Sequence, residues 1–316
     1  MPEWLIERGI GETRYALVED GEIVEARIEL DGIVRAGNII SARLVSARAR
    51  NALARDGHGI EYLLPAGAPG VTEGAELHIE VTREAIPGAE PWKRPLARIA
   101  DRSQRGEEGP EGRELALPAA RDALEEAGWR DVIDEARGGI VNFAGGELRI
   151  SPTPAMTLID VDGSLPPDEL AVRGAAEGAK AIRRLGIGGS IGIDLPTTTG
   201  KAPRQQAGAA IDANLPQPFE RTAVNGFGFV QIVRPRRRAS LLELAQDRAS
   251  FEARAMLRRA AFEGPGAKRL VAHPAVVAVL EAHRGWLDTL GRQTGGEIEL
   301  RADPGVTMSA GYAEGR

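Results

Sequence analysis

The spacing of apolar residues changes character twice between residues 156 and 194. Met156 to Val161 is an apolar run of strand length, and Ser190 to Leu195 is a second. Between them Val172, Ala175, Ala179 and Ile182 recur at spacings of three, four and three, which is one face of a helix. Pro166 and Pro167 pre-set the start of that helix, and Asp168 is placed to cap its first turn. Arg183 and Arg184 suit the negative end of its dipole, and Gly186 closes it. The pattern predicts a strand–helix–strand unit whose strands lie side by side and parallel.

The rest of the chain reads as further β structure joined by turns. Tyr15, Leu17 and Ile23 alternate with polar neighbours across Asp20-Gly21, a hairpin signal. Strands are expected at Gly37 to Ile40, Ile60 to Leu64 and Ala75 to Thr82, separated by turns at Asp56-Gly57 and Pro69-Gly70. Residues 85 to 112 are rich in Pro, Gly and mixed charge and read as a linker. Leu115 to Trp129 reads as a helix, and from Gly138 onward the order is β–β–α–β. Phe227 to Val233 is a further apolar strand, Leu241 to Arg259 an amphipathic helix, and His273-Pro274 a helix start.

Composition limits the chemistry. The 316 residues are 42% hydrophobic and 27% charged, as in a globular protein, with a net charge of −6. An acidic total rules out a global basic field, so any polyanion site must be local. From Arg234 to Arg269, ten Lys or Arg stand against four carboxylates, and Arg234, Arg236, Arg237 and Arg238 cluster at a strand end. Such a cluster suits phosphate contact, or ion pairing with Glu243 or Asp247 to hold the following helix. There are no cysteines, which excludes disulfides and thiolate zinc and fits a reducing cytoplasm. No uncharged apolar run approaches the ~18 residues of a membrane span, and no signal peptide is visible.

The acidic residues inside apolar strands point to a site. Asp160 and Asp194 would be costly to bury without a partner or a cation, and Asp162 points to the same strand face as Asp160. On neighbouring strand ends, Asp160 and Asp194 suit a hydrated Mg²⁺, which takes one or two carboxylates plus substrate phosphate. Gly200-Lys201 has neither the glycine spacing nor the Ser or Thr of a phosphate-binding loop, but Lys201 and Arg204 remain candidates for a phosphate contact. The four histidines have no metal-ligand spacing.

These residues carry a family resemblance. Thr157-Leu158-Ile159-Asp160-Val161-Asp162, with Asp194 in Ile191-Gly192-Ile193-Asp194-Leu195, resembles the catalytic core of the ribonuclease E/G family. Gly145 to Ile150, Gly226 to Arg236, Glu297 to Pro304 and Glu12 to Glu22 resemble other segments of that family in the right order. The resemblance implies an α/β (α+β) fold with three parts. A ribonuclease-H-like part would span residues 1–35 and 86–135, and a reduced oligonucleotide-binding β-barrel residues 36–85. A deoxyribonuclease-I-like catalytic domain would span residues 136–316.

It further implies a Mg²⁺-dependent endoribonuclease that cuts single-stranded RNA and leaves a 5′-phosphate. Asp160 and Asp194 match the metal-binding aspartates. Asp162 stands where the family has Asn, and Gly226 and Gln231 replace residues often acidic or charged there. Tyr62 is the one aromatic left in the barrel segment, placed either to stack a base or in the core. Trp92-Lys93-Arg94 either touches RNA or anchors a surface loop. No Arg-Thr pair of the family's 5′-monophosphate pocket occurs between Ala85 and Ala136. Without cysteines the family's zinc link between subunits is impossible, leaving a monomer or a homodimer through other surfaces. The competing expectations are a non-catalytic RNA-binding protein on the same fold, and a metal-dependent phosphodiesterase acting on something smaller than RNA.

Overall fold

The computed structural model describes residues 2–87, 93–101 and 109–315. It is a mixed α/β protein that divides into two compact units. One comprises residues 1–31, 111–137 and 244–316, the other residues 32–110 and 138–243. Residues 244–316 thus pack with the N-terminal strands, whereas the sequence suggested that they continue the domain of the aspartates.

The first unit begins with β1 (Glu3–Arg8), β2 (Glu12–Glu19) and β3 (Glu22–Leu30), an antiparallel meander. The hairpin turn is the expected Asp20-Gly21, with φ of 52° and 89°, as a two-residue turn matched to strand twist requires.

In the second unit β4 (Ile39–Ser46), β5 (Ala52–Asp56), β6 (Glu61–Leu64), β7 (Glu76–Arg83) and β8 (Leu96–Ile99) close a barrel in the order β4-β5-β6-β8-β7. The barrel therefore extends beyond residue 85 and takes its fifth strand from the stretch read as a linker. Leu96 and Ala97 are too few to show an alternating pattern, which is why the strand was not legible. Trp92 and residues 102–108 lie outside the described residues.

Back in the first unit, β9 (Arg113–Leu115) adds parallel to β1, giving the order β3-β2-β1-β9. The helix expected over Leu115 to Trp129 is instead two short ones. They are α1 (Ala123–Glu126), capped by Asp122, and α2 (Trp129–Gly138). Gly128, at φ 94°, breaks them.

The second unit continues with β10 (Ile140–Phe143), β11 (Gly146–Pro152), β12 (Thr157–Gly163), α3 (Pro167–Arg184), β13 (Gly189–Asp194), α4 (Lys201–Asn214), β14 (Glu220–Arg221) and β15 (Phe229–Arg234). The six strands form one sheet in the order β10-β11-β12-β13-β15-β14, with β12 and β13 parallel as expected. Leu170, Ala171, Ala175, Ala179 and Ile182 of α3 are buried. Ile159, Val161, Ile191 and Ile193 are the buried residues of the alternating sheet positions, while Leu158, Asp160 and Asp162 stand on the opposite, solvent-facing side of β12.

After α5 (Leu241–Gln246) come α6 (Arg248–Phe262), β16 (Lys268–Ala272), α7 (Pro274–Ala282), α8 (Arg284–Thr294), β17 (Ile298–Ala302) and β18 (Tyr312–Gly315). The helix expected over Leu241 to Arg259 is broken at Asp247, whose side chain caps α6. His273 caps α7 by accepting from the Ala275 amide. Among the described residues no helix is long and apolar enough to cross a membrane.

Candidate functional site

The site is built on the second unit's six-stranded sheet. Asp160 and Asp194 are direct register partners on the parallel strands β12 and β13. Neighbouring strands lie roughly 4.8 Å apart, so the two carboxylates leave adjacent backbone positions at the ends of their pairing. Both are exposed, as is Asp162 two residues further along β12. Burial, then Asp162, then Asp194 push the Asp160 carboxyl above its ordinary value, and Arg149 opposes them. Three like charges on one sheet face repel, and a cation would relieve them.

Arg149 and Glu147 on β11 were not expected in this neighbourhood. The register sets Arg149 against Asp160 and Glu147 against Asp162. The two side chains pair with each other at 2.7 Å. Their β-strand alternation was visible in the sequence, but only the pairing register puts them beside the aspartates.

The loop after β13 is held in place by an acid whose expected role was different. Asp168 does not cap α3, where Pro166 occupies the N-cap position without a side-chain bond. Its carboxylate accepts from the Thr199 amide at 2.8 Å and the Thr199 hydroxyl at 2.5 Å. Those bonds hold the Asp168 carboxyl below its ordinary value. The loop then enters α4 through Gly200, again without a side-chain cap and with no acid in the first turn. Lys201 and Arg204 occupy that turn. Neither has a hydrogen-bond or ion-pair partner among the described residues. Unpaired cations and uncapped amides make this end of the helix receptive to an anion.

A second overlooked residue is Phe227. Asn225 Oδ1 accepts from the amides of Phe227 and Phe229 at 2.9 and 3.1 Å, and the Asn225 amide donates to the Phe229 carbonyl at 3.0 Å. Gly228, at φ 91°, lets the turn press against β13, where a Cβ would lie 2.1 Å from the Leu195 carbonyl oxygen. The turn therefore holds Phe227, 84% exposed, next to the residue that follows Asp194. Phe229 itself is the register partner of Asp194, and Gly192 leaves room for its ring.

The arginine cluster lies elsewhere. Asp194 pairs with Phe229 at one end of β15, and Arg234 pairs with Gly189 at the other. Five residue steps along the strand separate them, roughly 17 Å. Arg236 is ion-paired with Glu243, which also accepts from the amide and hydroxyl of Ser240. Arg234 donates to the Ile187 carbonyl at 3.3 Å, and the Arg237 carbonyl accepts from the Glu84 amide at 2.8 Å. Arg234, Arg237 and Arg238 all have partners as well. The segment 234–238 is thus a joint between the sheet, the end of α3 and the barrel. The excess of cations out to Arg269 is no continuous patch either, since Arg254 and Arg258 are buried in ion pairs with Glu12 and Glu7.

Of its two expected places, Tyr62 takes the core and not the base-stacking surface. It is 1% exposed inside the barrel, with its hydroxyl donating to Asp56 at 3.2 Å. Burial pushes its pKa up. A ring enclosed in this way has no face to offer a base.

The donor set sets the limit on a metal. Among the described residues, no three His, Cys, Asp or Glu side chains gather as a metal-holding group. Two carboxylates from adjacent strands fit Mg²⁺, which completes its shell with water and substrate oxygens, and do not fit a fully caged ion. No family model matches the chain, and no curated protein matches it significantly.

Proposed function

We propose that this chain is a Mg²⁺-dependent endoribonuclease that hydrolyses phosphodiester bonds in single-stranded RNA. The observation that carries the reading is the pairing of Asp160 with Asp194 on an exposed sheet face. Asp160 and Asp194 would hold the ion, with Asp162 near enough to raise their joint affinity or shift the ion's position. Bound there, Mg²⁺ supplies Lewis-acid polarisation of the phosphate and a more acidic water.

The protein's own groups do the rest. Lys201 and Arg204 attract the RNA phosphate and offset charge on its non-bridging oxygens. Phe227 presents a ring face to a base, which favours unpaired strands because a duplex hides its bases. Asp168 fixes the loop that leads into the helix turn carrying the two cations. No nucleophilic side chain is required, and the product would carry its phosphate on the 5′ side of the downstream fragment.

The finer fold reading supports this proposal. The order β3-β2-β1-β9, three antiparallel strands plus one parallel, is what a ribonuclease-H-like part would have. The closed five-stranded barrel suits an oligonucleotide-binding type, and the sheet with α3 and α4 suits a deoxyribonuclease-I-like catalytic part. We place the protein in the cytoplasm on its lack of cysteine.

A second reading, an RNA-binding protein without catalysis, is favoured by the absence of a three-ligand cluster among the described residues. One assay separates them. A labelled single-stranded RNA should be cut with Mg²⁺ and spared with EDTA. Binding without cutting in both conditions selects the second reading, and neither binding nor cutting removes both.

A further inference from the structure

The first unit contains a cleft of about 440 Å³ enclosed by β2, β3, α1, α2 and α6, with no residue of the second unit in its wall. Its floor is aromatic, with Trp129 and Phe251 buried and Phe262 partly buried, and the guanidiniums of Arg137 and Arg258 lie over the Phe251 and Phe262 rings at 6.0 and 5.0 Å from their centroids. Five arginines line it, and four of them are held in ion pairs. Arg14 pairs with Glu7 and Glu12, Arg130 with Glu125, Arg137 with Glu252 and Asp134, and Arg258 with Glu7 and Asp122.

The fifth is Arg259. Its guanidinium donates to one neutral acceptor, the Gly311 carbonyl at 3.1 Å, and no carboxylate among the described residues is within ion-pair distance. A guanidinium has five N–H donors in a planar fork. Its remaining donors face the water of the cleft rather than any protein acceptor among the described residues, so an anion entering the cleft would meet them directly. Burial and the repulsion of Arg137 push its pKa below the ordinary arginine value, in the same direction. Glu252 lies near, but its two oxygens are taken by Arg137.

We infer that this cleft is a binding site for a small organic anion, with its carboxylate or phosphate head on Arg259 and a flat body against Trp129 and the arginine-covered rings of Phe251 and Phe262. The volume is that of an ordinary small-molecule site, and a few polar groups over an aromatic floor is the usual composition of one. This site is separate from the aspartates and does not depend on the nuclease reading.

Thermal unfolding of the whole protein tests it with defined probes. Phenyl phosphate and benzoate at about 10 mM should raise Tm, because a ligand that binds only the folded state stabilises it. Inorganic phosphate has the head without the body, and benzyl alcohol the body without the head. Each should do less than the better of the two complete anions, and which of those wins identifies the head. Arg259→Met should weaken that response at least tenfold in concentration, and Arg259→Lys less.

The bland alternative is that Arg259 only anchors Gly311, or pairs in solution with the exposed Glu263. In that case Arg259→Met lowers Tm without ligand and leaves the probe responses unchanged. Glu263→Gln would then match it if Glu263 is the partner. No stabilisation by either complete anion, or equal responses in wild type and Arg259→Met, overturns the inference.

Discussion

Neutralising Asp160 should separate the folding cost of the site from its use. Folding raises this carboxyl's pKa above its ordinary 3.8. Its contribution to stability is therefore fully present below the unfolded value and is lost as pH rises through the folded one. At neutral pH the charge opposes the fold, so Asp160→Asn should raise Tm in EDTA while reducing Mg²⁺-dependent cleavage at least ~10²-fold. A variant that melts lower and cuts normally would reject the assignment. Without Mg²⁺ the Asp160 carboxyl should likewise titrate above an ordinary aspartate, and Asp162→Asn should move it down by removing a like charge. Phe227→Ala should leave the melt unchanged and weaken single-stranded RNA binding by about 1–3 kcal/mol, the usual worth of one stacked base. Unchanged affinity would leave Phe227 idle. The aspartates were legible because an acid inside an apolar strand is conspicuous. Phe227 was not, since Gly-Phe-Gly-Phe reads as strand alternation until the bonds from Asn225 show a turn.

At the scale of elements, two groups of cations should behave differently. Lys201→Ala with Arg204→Ala should flatten the salt dependence of RNA binding by roughly 0.7 per lost phosphate contact and leave Tm nearly unchanged. Arg236→Ala should instead lower Tm, because Glu243 then loses its partner at the joint between β15 and α5. Equal salt slopes for the two variants would show that the helix start is not in the RNA path. Asp168→Asn should reduce cleavage by loosening the loop through Thr199. The stabilisation it removes is present above the unfolded pKa and fades as pH falls through the lowered one. Strand, helix and strand between residues 156 and 194 could be read from spacing alone, because two periods alternate there. Where the cations point could not, since a run of arginines beside a strand end says nothing of which end of that strand carries the site.

At the scale of the whole molecule, the most consequential contacts were invisible in the sequence. Arg254, Glu12, Arg14, Glu7, Arg258 and Asp122 form a chain of alternating charges, all but Asp122 almost wholly buried. Removing one member leaves its partner's charge uncompensated, so Glu7→Gln or Arg258→Met should each cost about 3–5 kcal/mol in urea unfolding. The pair of substitutions together should cost less than the sum, because the second removes the charge the first exposed. Additive losses would mean that the two do not share an interaction. Local periodicity carries no information about partners hundreds of positions apart, which is also why the packing of residues 244–316 with the N-terminal strands is not readable from it.

That charge chain also sets an order of assembly. Glu12 leaves the ribosome 242 residues ahead of Arg254, and Glu7 251 residues ahead of Arg258. At typical synthesis rates of ~5–20 residues per second the wait is roughly ten to fifty seconds. Throughout it, Glu7 and Glu12 have only Arg14 between them, and the cheaper state for two carboxylates so placed is one still in contact with water. Residues 32–110 and 138–243, by contrast, have all emerged before Arg254 appears. Nascent chains stalled when residue 243 has cleared the ribosome but Arg254 has not should therefore show protease protection over the barrel and the six-stranded sheet, with cuts still falling between Glu3 and Glu19. The protection of that N-terminal stretch should arrive abruptly once α6 has emerged, so that a segment made before the barrel is finished after it.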